Sequence, residues 1–351
     1  MADFNISNVA DLLLLTDARP PQYKFQDLAR EFTKYIAMQL FKENLQLEGG
    51  GDYIKRLFMV NTPDAVRHVG IFDEDVVSII DLMAKIEIPW VRFTTSYAWD
   101  INEVNANASP AQLVELVKTR RYAAHKNIAV EMEKKLFTLP SASTSLYPFG
   151  FPFWVVKNAT EGFNGGLPTG YTNIGGIDLD VVSAFKNWTA TYSEVSEADL
   201  GAKLSRAYRK CGYEQPAGMT DPGYAKSAYQ NYRYYTNERV YAAMEQIAQA
   251  AINNRNASFF TLEDRDGTGD RTVHFRGKRV VWVPFFDDDT TDPIYQIDNS
   301  VFYAFARRAM NMVETGPTVD PKRHNVRVTY IDHEYQYMCL DRARCAVFYK
   351  A

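Results

Sequence analysis

The chain has 351 residues, of which 46% are hydrophobic and 23% charged, with a formal net charge of −4. That length is enough for about two folded domains, and the composition excludes a disordered or collagen-like chain. The acidic balance argues against a protein that grips nucleic acid by its phosphates, since the one compact basic run, Arg276-Gly277-Lys278-Arg279, is short and soon followed by three aspartates; lining a compartment that holds nucleic acid needs no such grip.

Met1 is followed by Ala2-Asp3-Phe4, without a basic leader pattern. The apolar run Leu12–Leu15 is far too short to cross a bilayer, so no membrane partner is expected. Residues 1–22 close on Arg19-Pro20-Pro21 and read as an extended arm. A helix is predicted from Phe25 to Asn44, with Phe25, Leu28, Phe32, Tyr35, Ile36 and Leu40 as its stripe, and Gly49-Gly50-Gly51 as the hinge that ends it. A long arm begins at about Leu57. Its middle, Ile71 to Ile88, fits a short helix or a strand equally well. It closes with the run 91–100, in which Val91, Phe93, Thr95, Tyr97 and Trp99 share one face. That period of two is the mark of a half-buried strand.

Ser109-Pro110 is an N-cap followed by proline at the first helical position. It opens a helix that runs to about Phe137, where Pro140 stops it; at about 1.5 Å per residue it reaches roughly 40 Å. Its narrow stripe is Leu113, Val117, Ala124, Ile128, Met132 and Leu136, so one side packs on a body and the other meets water or a neighbour. Residues 140–176 are rich in turn formers, and 162–170 reads as a loop; no Gly-Lys-Ser/Thr follows it, so it is not a phosphate-binding loop. A second body starts near Ile177. It is expected to hold helices at 196–208, with Ser196 as cap and Asp199 completing the capping box, and at 237–253. Adjacent strands are expected at 273–275 and 280–286, a helix at 301–313, and terminal strands at 326–340 and 345–349 around the turn 341–344. The order is mixed α+β rather than regular βαβ alternation.

The search for chemistry is mostly negative. Asp287-Asp288-Asp289 with Asp292 could hold Mg²⁺ or Ca²⁺, which would make a metal-dependent hydrolase, but the alternating ligands, glycine and distal glutamate of a calcium loop are missing. An acidic solvated loop is the favoured reading. His333-Glu334 lacks the second histidine of a metalloprotease helix, with Tyr337 in its place, and His333, Cys339 and Cys345 match no zinc spacing. Cys211, Cys339 and Cys345 are odd in number and read as free thiols of a reducing compartment. No Gly-x-Ser-x-Gly elbow occurs, and the five histidines are scattered. No catalytic, cofactor or metal residue is assigned, and the chain is expected not to be an enzyme.

Several segments in a shared order resemble one family. They are Ile88-Pro89-Trp90-Val91-Arg92-Phe93-Thr94-Thr95-Ser96-Tyr97, Leu116-Val117-Lys118-Thr119-Arg120-Arg121, Gly162-Phe163-Asn164-Gly165-Gly166, Asn187-Trp188-Thr189-Ala190-Thr191-Tyr192, Val280 to Pro284, and Pro293-Ile294-Tyr295-Gln296-Ile297-Asp298. With these the chain resembles the major capsid proteins of tailed bacteriophages, those of the HK97-like fold. The resemblance implies an N-terminal arm and helix over 1–51 and an extended loop over 52–105. It implies a peripheral domain over 106–176 and about 322–351, with the spine helix at 109–137, and an axial domain over 177–321. It further implies self-assembly into pentamers and hexamers of an icosahedral head, double-stranded DNA packaged without sequence specificity, and a portal. A separate scaffolding protein (or none), an optional decoration protein, no Lys–Asn crosslink and assembly in a bacterial cytoplasm complete the expectation. In that setting Val91, Phe93, Tyr97 and Trp99 are expected to meet an adjacent subunit, because leaving them wet would be costly. A cellular compartment shell of the same fold, in the manner of encapsulins, is the alternative within the fold.

Overall fold

A computed structural model describes residues 36–59, 83–102, 110–141, 146–212, 231–254, 258–263 and 271–351. The elements in chain order are α1 (Ile36–Asn44), β1 (Leu45–Glu48), β2 (Tyr53–Met59), β3 (Met83–Pro89), β4 (Val91–Asp100), α2 (Pro110–Leu136), α3 (Phe151–Trp154), β5 (Gly162–Gly165), β6 (Asn187–Tyr192), α4 (Ala202–Lys210), β7 (Tyr232–Thr236), α5 (Glu238–Asn254), β8 (Phe260–Glu263), β9 (Thr272–Phe275), β10 (Lys278–Trp282), β11 (Ile294–Asp298), β12 (Phe302–Arg307), β13 (Val313–Asp320), β14 (Arg323–Cys339) and β15 (Ala346–Lys350). The α+β class expected from the sequence is what the chain adopts.

Eight strands form one sheet in the order β5-β6-β15-β11-β7-β10-β9-β8. Successive residues of a strand point to opposite faces, and here both faces are covered. Tyr234, Val280, Ile294 and Phe348 face α4 and α5 in one core cluster. Tyr235, Val281, Tyr295 and Val347, each adjacent in its strand to one of these, face the other cluster, which the rest of the chain fills. The β9–β10 hairpin closes on two residues with positive φ, Arg276 (49°) and Gly277 (73°), as a tight two-residue hairpin loop requires.

The second sheet is built on the 17-residue β14. Its order is β1-β12-β14-β13, and β4 pairs along the opposite edge of β14, from Val91↔Tyr335 to Asp100↔Val326. The spine helix α2 lies against this sheet. Ala124, Ile128, Met132 and Leu136 are buried as the stripe anticipated, Val117 is half-buried, and the side chain of Leu113 lies outside the described residues. Trp154 of α3 joins the two halves: fully buried, its Nε1 donates to the carbonyls of Phe149 (2.9 Å) and Tyr337 (3.2 Å). The approach of α3 to the end of α2 is so close that a Cβ on Gly150 would stand 2.0 Å from the Leu136 carbonyl oxygen.

Several expectations need correction. Residues 301–313 are not a helix: β12 is a strand between β1 and β14, followed by a 3-10 turn and β13. Phe302, Ala304, Phe305 and Ala306 are all buried, so no alternation was available, and a short apolar run buried on both faces cannot be told from a helix by period. The run 91–100 is the strand its alternation predicts, and it pairs along β14 within the second sheet. β15 belongs to the eight-stranded sheet, while β12 and β13 belong to the second. Residues 162–165 form an edge strand rather than loop, and 284–286 a 3-10 turn rather than strand. The glycine hinge follows β1 rather than the helix directly. The expected helix at 196–208 is a π-turn over Glu197–Gly201 followed by α4. Ser196 caps it, its side chain accepting from the Asp199 N–H, but the Asp199 carboxylate reaches back to the N–H groups of Ser193 and Glu194 instead of closing the box. Residues 1–35, and with them the arm and the start of the first helix, lie outside the described residues, as do residues 60–82, which include 71–82 of the unassigned stretch; its end, 83–88, is strand.

Candidate functional site

The acidic run Asp287–Asp292 is occupied by its own neighbours. Asp287 accepts from Trp282 Nε1 and from the N–H of Glu238 at the start of α5, Asp289 from Lys157 and Thr291, and Asp292 from Asn237 Nδ2 (2.6 Å) and Arg239 (2.8 Å). Among the described residues no group of three or more His, Cys, Asp or Glu side chains is placed to hold a metal ion. Cys339 and Cys345 approach to 3.9 Å between sulfurs, and all three cysteines are free and buried. His333 is elsewhere, packed between the rings of Phe41 and Phe93; burial pulls its imidazole down to about 4, against a weaker upward pull from the Met310 backbone. The carboxylates and thiols are therefore absorbed into structure, and among the described helices none is long and apolar enough to cross a membrane.

The surfaces left open are a better candidate. β2 and β3 pair as an antiparallel ribbon from Tyr53↔Pro89 to Met59↔Met83. Its inner face is dry: Ile54, Ile86 and Ile88 are buried, and Phe58 lies 5.9 Å from Phe185. The ribbon rests on the turn between Ile174 and Ile177, where Gly175 accepts from the Glu87 N–H (2.9 Å) with φ of +59°. A Cβ there would meet Ile86 at 2.7 Å, so glycine is needed for both conformation and space. The ribbon's base is closed by Gly51, whose carbonyl accepts from Trp90 Nε1 (3.0 Å) and Arg307 (2.8 Å). The outer face alternates Tyr53, Lys55 and Leu57 on one strand with Met83, Lys85 and Glu87 on the other. Lys55 and Lys85 both pair with Glu87 (3.3 and 2.6 Å), while Leu57 and Met83 stand 62% and 57% exposed.

A second open surface lies where β4 meets α2. Arg120 donates to the Ala98 carbonyl (2.8 Å), and Arg121 and His125 both reach Glu314 of β13 (2.8 and 3.2 Å). Beyond these ties a groove of about 510 Å³ runs between Val91, Phe93 and Thr95 on one wall and Ile128, Glu131, Met132 and Lys135 on the other. Leu146 and Tyr147 overhang it; Leu146 is 76% exposed, and Lys135 Nζ sits 3.6 Å from the Tyr147 ring centre.

The four residues expected to meet a neighbour therefore divide. Val91 is buried within its own chain, and Phe93 packs on His333 and Tyr335 (5.2 and 5.5 Å between ring centres) while lining the groove. Tyr97 and Trp99 stack on each other at 6.3 Å and are half-buried. The more exposed apolar groups, Leu57, Met83 and Leu146, were not singled out. For the ribbon the signal was present, since Tyr53–Met59 and Met83–Pro89 both alternate between apolar and polar.

No protein-family model and no curated protein matches the chain. Solved structures do. The chain is similar to the capsid subunit of cyanophage A-1(L), with a TM-score of 0.62 at 14% identity over 93% of this chain and 96% of that one. It is similar to the capsid of an empty GTA particle, with a TM-score of 0.56 at 13% identity over 93% of this chain and 100% of the other. It is also similar to the capsid of the Myoviridae phage XM1, with a TM-score of 0.54 at 10% identity over 94% and 97%. The fold is the capsid fold implied by the sequence resemblance.

Proposed function

We propose that this chain is the major capsid protein of a tailed bacteriophage, a subunit that assembles with copies of itself into a closed icosahedral head. The observation that carries this reading is a capsid fold extending over more than nine-tenths of the chain, joined to apolar surface on the ribbon and groove that the chain's own body leaves uncovered. Single contacts of that size are weak, but a closed shell engages many at once and gains from multivalency. Pentamers and hexamers place the same chain in slightly different surroundings, and Gly49-Gly50-Gly51 at the ribbon's base is where we locate the adjustment. Tyr97 and Trp99 with the outer ribbon face are the intersubunit contact in this reading, and Val91 acts only within its own chain. The head would hold double-stranded DNA without sequence recognition and would join a portal. Residues Asp287–Asp292 act as a structural brace, and no catalysis is assigned.

Electron microscopy of the purified protein tests the reading. Closed shells or capsomer rings are expected; a monodisperse monomer under all assembly conditions overturns it. Particles purified from cells then separate a viral head, with DNA and a portal vertex, from a compartment shell packed with enzyme.

A further inference from the structure

α2 carries one buried acid that the assembly reading does not use. Glu133 is 2% exposed. It lies beside the Met132 of the apolar stripe and points at the first described turn of α1, where its Oε2 accepts from the Ala37 N–H at 2.7 Å and its carboxyl also accepts from the Ile36 N–H. α1 is thereby held to α2 by a carboxyl at backbone donors, while Ile36, Ala37 and Leu40 bury their side chains around it. No lysine or arginine pairs with Glu133 in the described structure. The titratable groups that face it are Tyr235 of β7 and Tyr337 of β14, both phenols held neutral by burial. The charged groups of α1 itself, Lys42 and Glu43, sit at its far end, where Glu43 is taken by Arg233 of β7 (2.7 Å). On α2, Glu131 and Lys135 pair with each other.

We propose that Glu133 is a proton-linked latch between α1 and the spine helix, which clamps α1 when the carboxyl carries a proton and loosens it when the proton leaves. Burial is the largest influence and pushes the group from 4.5 up to about 7, against the downward pull of the Ala37 and Ile36 N–H groups. Released into water with α1 undocked, the same carboxyl returns to the ordinary range. The docked state therefore binds more protons between about pH 4.5 and 7, so docking is fully favoured below that window and weakens as pH rises through it. The latch therefore governs how firmly α1 is docked on α2. The proposal concerns the isolated chain and stands whether or not the chain forms shells.

Hydrogen exchange of the purified full-length protein tests it, followed by mass spectrometry from pH 5 to 8.5 and corrected for the intrinsic rate. Protection of the amides of 38–44 is expected to fall with rising pH, by at most about 300-fold, the fold-change that a displacement from 4.5 to about 7 allows. Protection in β11 serves as the reference and stays level. Glu133→Gln, permanently neutral, is expected to hold α1 at the acid level of protection across the range. A wild-type profile without pH dependence, or the same slope in Glu133→Gln, overturns the proposal. Should the variant not fold, infrared spectroscopy of the wild type decides: a protonated buried carboxyl band at pH 6 that is lost by pH 8.5 supports the latch, and its absence at pH 6 overturns it.

Discussion

The eight-stranded sheet and the β2–β3 ribbon are built from the same alternating pattern but are covered differently. In the sheet both faces meet the chain's own side chains, so Tyr234 and Tyr235 are each buried although they point in opposite directions. In the ribbon only the Ile54–Ile86–Ile88 face is covered, and the opposite face presents Leu57 and Met83 to solvent. The strand β13 repeats the pattern at the sheet's outer edge, with Val313 and Val319 exposed beside the Gly316-Pro317 break; a proline there discourages uncontrolled strand addition. The difference separates the surface that the chain covers by itself from the surface it leaves open.

Four experiments sharpen or break that comparison. The largest effect is expected from Gly150→Ala, because the added Cβ meets the Leu136 backbone at 2.0 Å with no flexible atom to give way. A loss above about 4 kcal/mol is expected, seen as failure to recover folded protein. Next is Arg342→Met. Its buried guanidinium donates to the carbonyls of Trp154 and Gly166 and to Asn187 Oδ1, tying the 341–344 turn to both halves. Stranding those acceptors is expected to cost about 3 kcal/mol, read as a lower urea midpoint.

His333→Phe probes the buried junction of β4 and β14 through pH. The wild-type imidazole stays neutral down to about 4 in the fold and protonates near 6.5 when unfolded. Its contribution is therefore present above pH 6.5 and lost as pH falls towards 4, by up to about 3 kcal/mol. Urea melts at pH 7 and pH 4.5 isolate that contribution by comparing His333→Phe with the wild type. Glu133 pulls the opposite way over 4.5 to 6.5, so the variant should become less stable as pH rises, whereas the two slopes offset each other in the wild type. An unchanged profile would remove His333 from the account of acid stability.

The smallest effect on the monomer, and the most telling for the comparison, is Leu57→Glu with Met83→Glu. Folding stability should move by no more than about 0.5 kcal/mol, because both side chains are already wet. Particle yield is expected to drop at least about tenfold, since the weakened contact recurs at every subunit, measured by sedimentation and negative-stain imaging. Normal shells from the double variant would show that the ribbon's outer face is not an assembly surface.

Local periodicity made much of this legible. The spine stripe at Ala124, Ile128, Met132 and Leu136, the alternation of 91–100, the Ser196 cap and the turn at Arg276-Gly277 depend on residues a few positions apart, and local sterics and hydrogen bonding decide them. Partner choice was not legible. Whether 91–100 pairs with β14 or reaches outward, whether 302–307 becomes helix or strand, and which sheet receives β15 depend on backbone groups more than a hundred residues away or on burial on both faces. The exposure of Leu57 and the burial of Glu133 are likewise decided by what packs over them. The sequence by itself determined those elements whose pattern is local, the spine helix, the strand at 91–100 and the hairpin turn; only the tertiary structure decided which faces stay dry, because burial is a property of neighbours brought together by the fold and not of the residue that is buried.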